Sequence, residues 1–278
     1  MIEDSYADMH IHTCFSDGTQ TPEEVANAAK IQGITLLSVC DHNNIGAYAR
    51  LRPACESLDI TVIQGVELCV KWDGRELHLL AYNFDPTDKD MLDLINSGQS
   101  EFDRINSLII KNITKDYPQV SFEEYELYEK PAGRGGWKSI SYLYDLGITN
   151  DLLGEWRNFV KRYGDSFVFD NIANACKIIR AAGGVPVLAH PGIYWQEEEL
   201  LDKLSETLLE GLGGLECHYP VHNESFTAKC VDFCKAHNLC ITAGCDGHGD
   251  FAQNARGVFC DIGVLKTPIS CLNLKGIV

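Results

Sequence analysis

Short apolar runs that end in polar residues alternate along this chain with segments of helical period. YADMHIH (6–12) reads as a short buried strand followed by the loop CFSDGTQ. Thr21-Pro22-Glu23-Glu24 then carries the signature of a helix start: Thr as N-cap, Pro in the first turn, Glu as the capping-box partner. Gly33 is the natural stop. ITLLSVCDH (34–42) is the next strand, and a helix follows over 45–58. ITVIQGVELCV (60–70) and ELHLLAYNF (76–84) flank a WDGR turn and are placed to pair as a hairpin. Towards the other end, helices at about 170–182, 197–210 and 224–237 precede VPVLAHP (185–191), GLECHY (214–219) and LCITAGCDGH (239–248).

Repeated strand–helix units imply a parallel sheet covered by helices, and near-continuous apolar strands are expected where both faces are buried. Six or seven such strands predict an α/β fold, a distorted (β/α) barrel of fewer than eight strands. Residues 86–167 break the rhythm. They hold helical stretches (90–115 and 136–163) and the loop EKPAGRGGW, too much for a plain connection. They read as an inserted, mostly helical lobe, leaving 1–85 and 168–278 for the barrel.

Polar residues collect at the C-terminal ends of the strands: His10 and His12, Asp41 and His42, Glu67, His190, Glu216 and His218, Asp246 and His248. In a β/α barrel that end carries the chemistry. Residues i and i+2 of a strand share a face, so His10 and His12 can reach one cation. Each residue has an ordinary reading: Asp17 as a turn residue in Ser-Asp-Gly, Asp41 as a helix N-cap, His78 as a core histidine with a satisfied hydrogen bond. Glu67, inside the apolar run GVELCV, resists one, because buried carboxylates are rare unless paired or metal-bound. Taken together, His10, His12, Asp17, His42, Glu67, His78, His190, Asp246 and His248 form an imidazole and carboxylate set that suits zinc, manganese or iron, and it is too large for one ion. Two or three divalent metals are expected.

The formal charge of −17 opposes binding to nucleic acid backbones or anionic membranes, while bound cations would still admit a small anionic substrate. No stretch approaches the roughly 18 apolar residues of a membrane span, and the N-terminus has no secretory pattern. A cytoplasmic protein without a stable nucleic-acid complex is expected, and no feature fixes an oligomeric state. The twelve cysteines are scattered without a C-x-x-C spacing and read as small buried apolar residues, including Cys230 and Cys234 one helical turn apart.

The ordered pattern H-x-H, S-D-G, D-H, G-x-E, a later His, A-H-P and D-x-H, running from residue 8 to 248, resembles the polymerase-and-histidinol-phosphatase (PHP) phosphoesterases. The resemblance implies a seven-stranded barrel with a trinuclear centre. One metal would bind His10, His12, Glu67 and Asp246. A second would share Glu67 and add His78 and His190. The third would take Asp17, His42 and His248. The family's G-R-P-H motif, whose Arg binds phosphate, is met by Gly133-Arg134-Gly135-Gly136, where Arg134 matches but Pro and His do not. Its Y-x-x-x-H segment implies His222, after Tyr219, as a contact to substrate or a proton carrier.

The implied reaction is hydrolysis of a phosphate monoester of a small metabolite or nucleotide by metal-activated water, extending to nucleoside 3',5'-bisphosphates or short oligonucleotide ends. Three alternatives stand beside it: a histidinol-phosphate phosphatase, a non-catalytic metal-binding PHP module, and a metal-dependent amidohydrolase. The last usually needs a carboxylated Lys at a strand end, and no predicted strand core ends in one.

Overall fold

The computed structural model describes residues 5–152, 155–251 and 259–278. The first helix forms as its spacing predicts. In α1 (Pro22–Gln32) the Thr21 hydroxyl accepts from Glu24 N–H while the Glu24 carboxylate accepts from Thr21 N–H, and Gly33 closes the helix at φ 73°. Ahead of it lies β1 (Tyr6–Ile11); after it come β2 (Ile34–Val39), α2 (Tyr48–Glu56) and the short β3 (Thr61–Val62). The run 60–70, read as one strand, breaks at Ile63-Gln64, and its second part begins β4 (Gly65–Trp72), which turns into β5 (Arg75–Tyr82) as the expected hairpin.

Next come α3 (Lys89–Ile113), α4 (Phe122–Leu127), α5 (Lys138–Asp145) and α6 (Glu155–Tyr163). The amphipathic α3 sends Met91, Leu94 and Ile95 towards the β-strands and Ile105, Ile109 and Ile113 into a separate cluster with Ile140, Leu143 and Phe159. The strand–helix rhythm then resumes with α7 (Ile172–Ala181), β6 (Val185–Leu188), α8 (Leu200–Leu208), β7 (Gly214–His218), α9 (Glu224–His237), β8 (Cys240–Ala243) and β9 (Thr267–Pro268).

The strands form two sheets, β3-β2-β1-β9 and β4-β5-β6-β7-β8. Beyond the expected hairpin, the parallel sheet is corrected at two places, β5 against β6 and β9 against β1. The β4–β5 hairpin reverses the chain, so β5 runs antiparallel to both β4 and β6, and β9 pairs antiparallel with β1. Nor does one continuous ladder close round a barrel. The sheets meet through single bridges, Ile11 to Gly247 and His42 to Glu67. These seams are tied by backbone bonds from Asp246 N–H to His10 O (2.8 Å) and from Asn43 N–H to Glu67 O (2.9 Å). Between the sheets, Met9, Leu36, Leu80, Tyr82, Val187 and Cys240 pack as one buried layer. All twelve cysteines are free, and ten are buried, as their scatter suggested.

Candidate metal centre

The elements deliver their polar side chains to one place. His10 on β1 and His12 just beyond it share a face, and both are buried. Glu67 points inward from β4, next to the bridge that holds His42 after β2. His78 comes from β5, His190 follows β6, and Asp246 and His248 follow β8. Asp17 sits in a turn where Ser16 and Gly18 N–H both donate to Thr13 O (3.1 and 3.0 Å). His190 (φ 31°) and Asp246 (φ 52°) adopt left-handed backbone unfavourable for such residues. Strain of this kind persists where surrounding structure over-determines the geometry, and it concentrates at functional sites.

Glu67 is the centre of the group. Its carboxylate lies 2.9 Å from His78 Nδ1, 3.0 Å from His190 Nε2, 3.1 Å from His42 Nδ1, 3.2 Å from His12 Nε2 and 3.4 Å from His10 Nε2. Asp246 Oδ1 is 3.1 Å from His12 Nε2 and 3.7 Å from His10 Nε2. Asp17 stands 3.4 Å from His248, 3.5 Å from His12 and 3.9 Å from His42. The structure thus brings together all nine residues singled out in the sequence. Ligand atoms of His10, His12, Glu67 and Asp246 lie within 4.8 Å of one another, as do those of His12, Asp17, His42 and His248, and those of His42, Glu67 and His78.

This donor set fits cations better than it fits itself. One carboxylate cannot satisfy five imidazoles. Glu67 Oε2 and His42 Nδ1 are buried without a hydrogen bond although they are 3.1 Å apart. His10 Nε2 and His12 Nε2 face each other at 3.2 Å, an arrangement that needs a proton or a cation between two lone pairs. Electrostatics divide the rings. Burial opposes the charged form of His12, yet Asp246, Glu67 and Asp17 push it up to about 10, and carboxylates likewise hold His10 well above the usual range. Burial prevails at His42, lowered to about 4, and at His190, lowered to about 3. Against burial, the surrounding imidazoles hold Glu67 and Asp17 well below the carboxylate range.

A further layer holds these groups. Glu216, noted in the sequence only as a strand-end acid, accepts from His10 Nδ1–H at 3.0 Å and from the His190 backbone N–H at 2.8 Å. This directs the His10 Nε2 lone pair at the cluster, as outer carboxylates do for ligating histidines. Asp41 does not cap a helix. It is buried and accepts from Thr13 N–H (2.7 Å), Thr13 Oγ1 (2.6 Å) and Ser16 Oγ (2.5 Å), shaping the turn that carries Asp17. Lys130, unnoticed in the sequence, donates to Ser16 O (3.0 Å) and Gly136 O (2.8 Å), and Gly136 N–H donates to Asp17 O (2.8 Å). Burial lowers the Lys130 ammonium, with Asp17 among the groups opposing.

The two expected substrate contacts are occupied elsewhere. Arg134 Nη1 donates to Asp145 (2.6 Å), Ser141 (3.1 Å) and Tyr128 (3.3 Å), all on or beside α5. Glycine suits the two positions that depart from G-R-P-H: a Cβ on Gly135 would sit 2.2 Å from the Phe251 ring, and Gly136 has φ 76°. His222 Nδ1–H donates to Cys217 O (3.0 Å), and its Nε2 accepts from Gly192 N–H (3.0 Å). With both nitrogens on backbone groups, it braces the turn after His190.

Comparison with known proteins agrees with this geometry. A 5'-3' exoribonuclease of Haemophilus influenzae is 28% identical over 191 residues, 67% of this chain and 69% of that protein. A 3',5'-nucleoside bisphosphate phosphatase of Chromobacterium violaceum is 26% identical over 250 residues, 87% of this chain and 86% of that protein. The crystal structure of a candidate metal-dependent phosphoesterase from Bifidobacterium adolescentis superposes with a TM-score of 0.78 at 21% identity, over 96% of this chain and 94% of that one, so the mixed α/β fold is shared. The family model for the PHP domain matches residues 8–155, more than half of the sequence, and the chain therefore belongs to the PHP domain family.

Proposed function

We propose that this PHP-family metal-dependent phosphoesterase hydrolyses a phosphate monoester of a small metabolite or nucleotide, a class that includes nucleoside 3',5'-bisphosphates and short oligonucleotide ends. The observation that carries the reading is the convergence of five imidazoles on the buried Glu67 carboxylate. We assign His10, His12, Glu67 and Asp246 to one divalent cation, Glu67, His78 and His190 to a second, and Asp17, His42 and His248 to a third, each zinc, manganese or iron. When bound, such cations supply Lewis-acid chemistry: they neutralise phosphoryl charge and lower the pKa of water to about 7. The chain's own part is to hold the donors. Glu216 keeps the His10 proton on Nδ1, the turn built on Asp41 and Lys130 presents Asp17, and Tyr219 Oη–H restrains Asp246 through its donated bond of 3.0 Å.

The bisphosphate phosphatase relative supports the nucleotide reading, and the net charge of −17 favours small substrates over long strands. No helix among the described residues is long and apolar enough to cross a membrane. The bridges between the sheets support reading them as halves of one distorted seven-stranded barrel, with residues 86–167 as an inserted lobe beside the site. The test is phosphate release by the metal-loaded protein from nucleoside monophosphates, nucleoside bisphosphates and histidinol phosphate. Release from the nucleotides at the higher kcat/KM is expected. Preference for histidinol phosphate would replace the substrate class, and no release from any ester by a protein that retains its metals would mark a non-catalytic module.

A further inference from the structure

The inner face of the β4–β5 hairpin carries a second group of ligand-type side chains. Alternate residues share a face, so Glu67, Cys69 and Lys71 follow one another along β4, and the ladder sets Leu80, His78 and Glu76 opposite them. Cys69 and His78 are direct cross-strand partners. Cys69 Sγ, a Glu76 carboxylate oxygen and a His78 ring nitrogen lie within 4.8 Å of one another. His78 stands between the two groups, with Nδ1 at 2.9 Å from Glu67 and Nε2 at 3.8 Å from Glu76 Oε1. Lys71 Nζ is 3.9 Å from the other oxygen of Glu76, leaving Oε1 towards His78. Glu76 and His78 also line a cavity of about 410 Å³ with Trp156, Phe167 and Tyr194.

We propose that Cys69, Glu76 and His78 form an outer site for a thiophilic divalent cation such as Zn²⁺, separate from the main cluster but sharing His78 with it. Thiolate, imidazole and carboxylate together are a zinc donor set, and sulfur disfavours magnesium and calcium. Binding releases the Cys69 thiol proton to solvent. A neutral imidazole has one proton and one lone pair. If Nδ1 gives its lone pair to the cluster, Nε2 carries the proton, and for Nε2 to bind the outer cation that proton must pass to Nδ1, which then no longer serves the cluster. The outer cation therefore competes with the cluster for His78, and it inhibits hydrolysis, an effect that rests on the cluster being the catalytic centre.

Cobalt(II) is the probe, because no cysteine belongs to the three ligand groups of the main cluster and cobalt bound there gives no sulfur band. Manganese-loaded protein titrated with Co²⁺ is expected to show a near-ultraviolet thiolate-to-cobalt charge-transfer band that saturates at one equivalent and is lost in Cys69→Ser. In phosphate release, Cys69→Ser is expected to need roughly tenfold more Zn²⁺ for the same inhibition. Circular dichroism checks its fold, and Cys69→Ala replaces it if serine disturbs the hairpin. A band missing from the wild type, or one that survives both substitutions, overturns the site. Failure of the main-cluster reading shows separately, as manganese retained in full by Glu67→Ala.

Discussion

Glu216→Gln replaces one oxygen by an NH₂ group with almost no change of volume, yet it is expected to disable a ligand on another strand. Glu216 is buried and faces two N–H donors, His10 Nδ1 at 3.0 Å and the His190 backbone at 2.8 Å. A glutamine has one acceptor oxygen and one NH₂ group. The backbone N–H of His190 cannot change its role, so the amide oxygen turns to it and the NH₂ faces His10. To accept from that NH₂, His10 must move its proton to Nε2, the nitrogen that points at His12 and Glu67. A protonated nitrogen cannot ligate. Loss of an outer carboxylate partner costs roughly 10- to 100-fold in metal affinity, about 1.4–2.8 kcal/mol. Competitive titration of manganese against a chelator measures this, with far-ultraviolet dichroism to confirm the fold. Affinity within twofold of the wild type would refute the reasoning, because the tautomer of His10 would then not matter.

Other substitutions test other links. Glu67→Ala should leave most of the bound metal behind on purification and lower phosphate release by at least about 10³-fold, about 4 kcal/mol of barrier, read by metal analysis and single-turnover assay. Lys130→Met removes the bond to Ser16 O in the Asp17 turn and the bond to Gly136 O beside it, and should cost about 1.5–3 kcal/mol of stability, with roughly tenfold weaker binding of one metal, followed by urea unfolding and metal titration. Burial lowers His222 to about 4 from an ordinary 6.5, so between those values the unfolded chain binds the extra proton. Stability from this group is complete above pH 6.5 and declines towards pH 4 by about 3 kcal/mol. His222→Gln in metal-free protein should flatten that share of the slope in urea unfolding at pH 6.5, 5 and 4.

Much of the site was legible because its signals are local. H-x-H on a strand, the capping box at Thr21, the stop at Gly33 and polar residues closing apolar runs each follow from backbone periodicity. What stayed hidden depends on tertiary placement. The break at Ile63-Gln64 is marked only by Gln64-Gly65, an interruption too short to divide the run 60–70 by itself, and β9 is only two residues long. The antiparallel run of β5 against β6 follows from where the chain goes after the hairpin. Arg134 matched a motif, but Asp145 and Ser141 one helix away decide its direction. Spacing also cannot show that both nitrogens of His222 meet backbone groups, or that Glu216 faces His10 from across the fold.

The central claim is that these nine side chains form one polynuclear cation centre, and anomalous diffraction from manganese-soaked crystals tests it most directly. Two or three peaks are predicted around the Glu67 carboxylate, within bonding distance of His12, His190, Asp246 and their neighbours. Density with no anomalous peak beside Glu67, in crystals where manganese is bound elsewhere, would contradict it.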